Sequence, residues 1–335
     1  MMQNTVLTSG PFGPVLAKAV IAAAVGAVTM TSPAPVRAAD YPSKNIEFVI
    51  PFSAGGGFDR TVRLWSPALE RALPHKVQVL PTNVPGAGGR KALAMIMRAK
   101  PDGTKIAIAN MPGAALPEMT GEKIEYDLDK MTWIARLGAE PYMVAVPAKS
   151  SIKSVADLKK LNRTIKIPST DYGSTAFAAG VVFGETMGLK LNQLTGYKGT
   201  NDYIVATIRG DADACVAPVS TLAKFIKSGD MRGLVTFEDK STFEGVPTIA
   251  SLGHPELTGL AVERYVLAPP KTPANIVKVL SAAFAKASTD PQLIEATEKA
   301  KEEIAYLDAD AAKAQAEKSI KIYEKHKKLM GRPND

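Results

Sequence analysis

NIEFVIPFSAGGGFDR, residues 45–60, joins two periodicities across a run of three glycines. Ile46, Phe48 and Ile50 recur at the two-residue period of a strand, and FDRTVRLWSPALERAL, from Phe58 onward, spaces its apolar residues as a helix does. The stretch therefore predicts a strand, a permissive loop at Gly55–Gly57 and a helix. The next sixty residues repeat that plan. KVQVL reads as a strand, PTNVPGAGG as a loop, RKALAMIMRA as a helix, TKIAIA as a strand and NMPGAA as a loop. Short strands alternating with helices of this length give right-handed crossovers and a parallel sheet covered on both faces, an α/β fold. In such sheets ligands sit beyond the carboxyl ends of the strands, which is where all three loops lie.

A second unit of the same logic begins near EPYMVAVP, with a strand over Met143–Val146. Ser154 with Asp157 three residues on opens the helix VADLKKL in a capping arrangement. TIKIP, STDYGSTA and FAAGVVFGETMG repeat strand, polar loop and helix; TGYKGTNDYIVATIRGDADACVAP and GLVTF supply a further helix and strands. ERYVLAP is another strand, and Thr272 with Pro273 at the first helical position opens ANIVKVLSAAFAKA, where Ile276, Leu280 and Phe284 form a core stripe. Asp290 and Pro291 start the next helix, and AKAQAEKSIKIYEKHKKLM forms the last.

With 335 residues, 46% hydrophobic and 22% charged, the chain has the material for two globular domains. Residues 1–38 differ from the rest: Lys18 precedes AVIAAAVGAVTM, and Val36 with Ala38 has the spacing of a small-residue cleavage site, so this segment reads as an export signal cut near Ala38. Its apolar run is shorter than the ~20 residues a bilayer span needs. The net charge is +8, and loss of Lys18 and Arg37 leaves about +6, a modest attraction for anions. No interleaving of arginine and aromatic residues points to nucleic acid. Cys215 is the single cysteine and reads as a small buried hydrophobe in ADACVAP, so the fold rests on its core and not on disulfides.

The glycine loops invite a nucleotide reading, which the residues refuse. There is no Gly-Lys dipeptide for a P-loop, and GGGFDR and GAGGRK lack the last glycine of the dinucleotide pattern. His75, His254 and His326 are not spaced as metal ligands, and no Gly-x-Ser-x-Gly elbow occurs. No metal, cofactor or catalytic residue is expected. What the loops offer is backbone N–H at a helix N-terminus, which suits a carboxylate.

YPSKNIEFVIPFSAGGGFDR, NVPGAGG, KPDG, GYKGTNDY, FIKSGDMRGL, GVPTIASLG and VLAPPKTPANIV together resemble, in order and spacing, the tripartite tricarboxylate transporter substrate-binding proteins, the Bug or TctC-like family. The resemblance implies a type II periplasmic-binding-protein fold, a flytrap of two α/β domains with mainly parallel sheets and two crossover strands. Domain 1 would comprise residues 39–141 plus 265–335, and domain 2 residues 142–264. It implies a non-enzymatic periplasmic receptor, expected as a monomer, that takes a small organic carboxylate and presents it to membrane permease subunits. One jaw would be Phe52, Ser53, Ala54, Gly55, Gly56, Gly57 and Asp59, with Asn110, Met111 and Pro112 beside it. The second domain would contribute Ser169, Thr170, Tyr172, Gly173, Ser174, Thr175 and Ala217, with Tyr197, Lys198 and Gly199 flanking the cleft. A sensor-coupled receptor and an exported enzyme on the same scaffold remain as rivals.

The chain departs from the family pattern at three places. Phe177 stands where many relatives carry His, and Ala217 where many carry an acid suited to an ammonium group, which weighs against amino-acid ligands. Glu263 replaces the usual Trp, with Arg264 next to it. Arg264 is either a bidentate partner for a second carboxylate or an exposed charge at a strand end. Tyr172 and Phe177 either line an aromatic ligand or pack the second domain. A dicarboxylate and an aromatic carboxylate both fit.

Overall fold

The computed structural model describes residues 41–300 and 302–331; the expected export signal over residues 1–38 lies outside them. β1 (Ile46–Ile50) leads through the glycine loop into α1 (Gly57–Ala72), followed by β2 (Val79–Asn83), α2 (Arg90–Met97), β3 (Lys105–Met111) and the short α3 (Leu116–Met119). A 16-residue strand, β4 (Thr132–Pro147), comes next. Then follow α4 (Val155–Lys160), β5 (Ile165–Pro168), α5 (Thr175–Thr186), β6 (Leu191–Leu194), α6 (Thr200–Arg209), β7 (Cys215–Pro218), α7 (Val219–Lys227) and β8 (Met231–Thr236). β9 (Ala261–Ala268), α8 (Ala274–Ala287), α9 (Pro291–Ala300) and α10 (Ala309–Glu324) complete the order.

The period-two pattern sorts side chains between the two faces of one sheet. Ile46, Phe48 and Ile50 of β1, Ile106 and Ile108 of β3, and Val266 and Ala268 of β9 enter one apolar cluster with α1 and α8. Their neighbours Val49, Ala107, Ala109, Tyr265 and Leu267 enter another, with α2 and α10. The stripe Ile276, Leu280 and Phe284 is wholly buried in the first cluster, and each such side chain is worth about 1.5–3 kcal/mol. A third cluster gathers Tyr142–Val146 of β4 with β5, α5 and β7. Tyr323 and Met330, from the C-terminal end of the chain, also pack into it.

The sheet is mixed. β1 pairs in parallel with β2 and β3, and β5 with β6, as expected of α/β units. β9 runs antiparallel between β3 and β4, and β4 continues to pair antiparallel with β7 and β8, giving the order β2-β1-β3-β9-β4-β7. β4 and β9 are thus the two long strands that connect the first and third clusters.

Local differences from the sequence pattern have plain causes. β2 begins at Val79 and not at Lys76, because its register is set by β1, Ile46 against Val79 through Ile50 against Asn83. β3 runs on through Asn110 and Met111, which pair with Arg264 and Glu263 of β9 and so leave the expected loop. Pro273 is the N-cap of α8 and not its first helical residue, and the Thr272 hydroxyl donates to Pro269 O at 2.7 Å instead of capping. The Ser154 cap is present, accepting from Asp157 N–H at 3.2 Å.

Candidate functional site

The loop after β1 is built by three glycines with three different surroundings. Gly55 has φ +81°, a left-handed conformation that costs a Cβ-bearing residue about 1–2 kcal/mol. Gly56 is the N-cap of α1 and carries no side chain, so no side-chain cap covers the first-turn N–H groups. A Cβ on Gly57 would stand 3.0 Å from Arg264 Nη2.

Asp59 braces this loop from below. Its carboxylate accepts from Gly55 N–H at 2.8 Å, from Arg63 at 3.0 Å and from Asn83 Nδ2 at 3.0 Å. The Arg63 hydrogen bond, with those from Gly55 and Asn83, outweighs burial and holds the Asp59 carboxyl at about 2. With all its oxygens engaged, Asp59 shapes the loop and the helix start. Phe52 packs on Phe58, ring centroids 4.7 Å apart, while Ser53 and Ala54 are exposed.

The other loops converge on it. Gly89, in the loop after β2, would place a Cβ 3.1 Å from Pro51 and 3.6 Å from Phe52. At the end of β3, Asn110 Nδ2 donates to Thr175 Oγ1 at 3.1 Å, joining that strand to the first residue of α5. Met111 and Pro112 are buried, and the turn beyond them is held by Tyr126, whose hydroxyl donates to Ala114 O at 2.6 Å. Gly173 would place a Cβ 3.7 Å from Arg90 Nη1, and Gly88 one 3.8 Å from Asp171 Oδ2, so the loop after β5 also faces the loop after β2.

Within that second group the residues differ in availability. Ser169 is fully buried and its Oγ has no hydrogen-bond partner in the protein. Ser174 is committed to α5: its hydroxyl donates to Asp171 O at 2.9 Å and accepts from Phe177 N–H at 3.2 Å. Thr170 is half-buried, its carbonyl accepting from Gly196 N–H at 2.9 Å. Tyr172 meets Phe177 edge-on at 5.1 Å; Phe177 is itself core, and Tyr172 packs half-buried against it. Ala217 is fully buried in the third cluster, opposite Met143 on β4. Tyr197 is half-buried and Lys198 exposed.

Arg264 is not an exposed strand-end charge. It is 4% exposed, bonds Glu140 Oε2 through Nη2 at 2.9 Å and lies 5.0 Å from the Phe58 ring centroid. Burial would raise the Glu140 carboxyl, but the charge and hydrogen bond of Arg264 outweigh it and hold it below the usual range. Glu263, one residue earlier on β9, is occupied elsewhere, pairing with Arg136 at 2.9 Å and accepting from Ser319 at 2.6 Å. Asn83 and Glu140 carried no signal in the sequence beyond being polar residues at or within strands.

Among the described residues no cluster of three or more His, Cys, Asp or Glu is arranged to hold a metal, and no helix is long and apolar enough to cross a membrane. Cys215 is a buried free thiol, pushed up to about 12 by that burial.

Residues 65–329 match a family model described as tripartite tricarboxylate transporter family receptor; the match starts within α1, after the glycine loop. The UPF0065 protein of the gbd 5′ region of Cupriavidus necator is 29% identical over 315 residues, covering 91% of this chain and 94% of that one. A TctC solute binding protein from Polaromonas is 25% identical with a TM-score of 0.70, over 85% of this chain and 98% of that one. MatC from Rhodopseudomonas palustris, described with bound malate, has the same fold at 20% identity and a TM-score of 0.71, over 86% of this chain and all of that one, 100%.

Proposed function

This chain belongs to the tripartite tricarboxylate transporter receptor family, and on that premise we propose that it is a periplasmic receptor for a small organic carboxylate. Its family is one of periplasmic binding proteins. The ligand is a dicarboxylate or an aromatic carboxylate, held between residues 39–141 with 265–335 on one side and 142–264 on the other. It is passed to the membrane subunits of a tripartite permease, and no covalent chemistry is involved.

The observation that carries this reading is the meeting of Asn110 and Thr175 at 3.1 Å, which brings the end of β3 to the N-terminus of α5; Asn110 pairs with Arg264, whose Nη2 is 3.0 Å from the place a Gly57 Cβ would occupy. On this reading the N-termini of α1 and α5 both offer main-chain donors to the ligand, and each favours an anion. Malate bound to a protein of this fold supports the class of ligand. A carboxylate that contacts both sets of loops binds the closed arrangement better than an open one, and that difference drives closure.

The test is a thermal-shift and calorimetric screen of the mature protein against mono-, di-, tri- and aromatic carboxylates, with amino acids and sugars as controls. A ligand at 100 times its Kd adds about 2.7 kcal/mol, enough to raise Tm by several degrees. Shifts confined to carboxylates support the reading. Shifts confined to sugars or amines would overturn it.

A further inference from the structure

The charges nearest the glycine loop are paired. Asp59 is held by Arg63, Arg60 by Glu302 at 3.0 Å, and Arg264 by Glu140 at 2.9 Å. Arg63 and Arg60 have side chains 51% and 50% exposed, so water and salt screen their pairs; Arg264 and Glu140 are 5% and 12% exposed and keep most of their field.

That buried pair is oriented. Its positive end is next to the first turn of α1, where Arg264 Nη2 is 3.0 Å from the place a Gly57 Cβ would occupy. Its negative end faces the start of α7, where Ser220 Oγ donates to Glu140 Oε1 at 2.9 Å. Arg264 Nε is buried and has no acceptor in the protein. A desolvated guanidinium N–H without an acceptor is unfavourable, and an anionic oxygen would satisfy it.

We propose that Arg264 sets the charge selectivity of the site at the glycine loop, and that Glu140 is the positioning residue that both orients Arg264 and limits how much of its charge reaches the ligand. This rests on the carboxylate-receptor reading. The α1 N-terminus alone would accept any hydrogen-bond acceptor; the cation behind it adds a preference for anionic ligands. Glu140 offsets that cation in part, and Ser220 keeps the offset tied to α7.

The experiment measures Kd by calorimetry for two acid and amide pairs, malate with malamide and benzoate with benzamide, on wild type, Glu140→Gln and Arg264→Gln. At position 140 glutamine keeps an oxygen for Arg264 or Ser220 and removes only the charge. Glu140→Gln is expected to bind the acid about tenfold tighter with the amide unchanged, since the counter-charge on Arg264 has been removed. Arg264→Gln is expected to lose acid affinity by about tenfold or more and to narrow the acid-to-amide ratio. If Arg264→Gln does not fold, the double variant, whose pair is neutral, carries the same expectation for the ratio. Glu140→Gln that folds but binds the acid equally or more weakly would overturn the proposal and leave the receptor reading intact. If neither acid, nor any carboxylate of the wider screen, binds wild type, the receptor reading falls and this proposal with it.

Discussion

Asn83 Nδ2 donates both to Asp59 Oδ1 and to Phe52 O, each at 3.0 Å, so one amide at the end of β2 holds the glycine loop and the first turn of α1 together. Arg63 closes the ring by donating to Asn83 Oδ1 at 3.2 Å. The loop is thereby fixed by the protein's own hydrogen bonds, and on the proposed reading a pre-ordered loop spares the ligand the entropy of ordering it.

Asp59→Asn removes the charge that this ring is built on. The folded carboxyl sits at about 2, below its ordinary 3.8, so its stabilisation is complete above the ordinary value and fades as pH falls toward 2. The wild-type Tm is expected to drop between about pH 5 and pH 2, and Asp59→Asn to show a smaller drop from a lower starting point. Calorimetric melts across that range check it. Equal slopes for the two proteins would contradict the pairing.

The three glycines should separate under alanine substitution. Gly56→Ala meets only Ser53 O at 3.5 Å, an ordinary contact, and is expected to leave Tm within a degree or two. Gly55→Ala forces a left-handed φ of +81° and should cost about 1 kcal/mol. Gly57→Ala presses on the buried Arg264 guanidinium and should cost at least as much, with weaker carboxylate binding. Denaturant midpoints rank the three. A bulky residue at Gly56, Trp for instance, should abolish binding at nearly unchanged Tm.

Ser174→Ala tests whether a hydroxyl beside the proposed cleft serves the ligand or the helix. Both of its hydrogen bonds are internal, so loss of the cap is expected to lower stability by about 1 kcal/mol while carboxylate affinity changes by less than about threefold. Urea melts and titrations on the same preparation separate the two effects. A large affinity loss at unchanged stability would assign the hydroxyl to the ligand.

Cys215 should be chemically silent in the native state. Its thiol is fully buried and pushed up to about 12, so almost no thiolate exists near neutral pH. Iodoacetamide at neutral pH is expected to leave the folded protein unmodified and to label it fully in guanidinium. Mass spectrometry reads the difference directly.

The parts of the fold that were legible in sequence are those where a side chain's neighbours are set by local period. Ile46, Phe48 and Ile50 announce their face of the sheet, and Ile276, Leu280 and Phe284 announce theirs. The pairing of Arg264 was not legible, because Glu140 lies 124 residues away and only the antiparallel register of β4 with β9 brings the two together. Asn83 was hidden for a related reason: a polar residue ending a strand has no periodicity, and its value comes from a loop thirty-one residues earlier. Ser174 was legible as a polar residue of the loop after β5, but whether its hydroxyl points outward or to the backbone depends on a helix boundary that sequence locates only to within a few residues.

Ser169 offers the cleanest separation of ligand binding from stability. Its Oγ is fully buried without a partner in the protein, beside the end of β5, and its backbone N–H is already bonded to Leu194 O at 2.8 Å. An orphaned buried hydroxyl destabilises the free protein, so Ser169→Ala should leave its Tm unchanged or raise it, by up to about 1 kcal/mol of stability. If the hydroxyl serves the bound carboxylate, the same change should weaken binding by about ten- to a hundredfold, the worth of one hydrogen bond to a charged acceptor. A Ser169→Cys variant, slightly larger and a weaker donor, should fall between wild type and Ser169→Ala in affinity. Thermal melts without ligand and calorimetric titrations with the best carboxylate from the screen give both numbers. Unchanged affinity in Ser169→Ala would remove this residue from the site and assign the orphaned oxygen to the core alone.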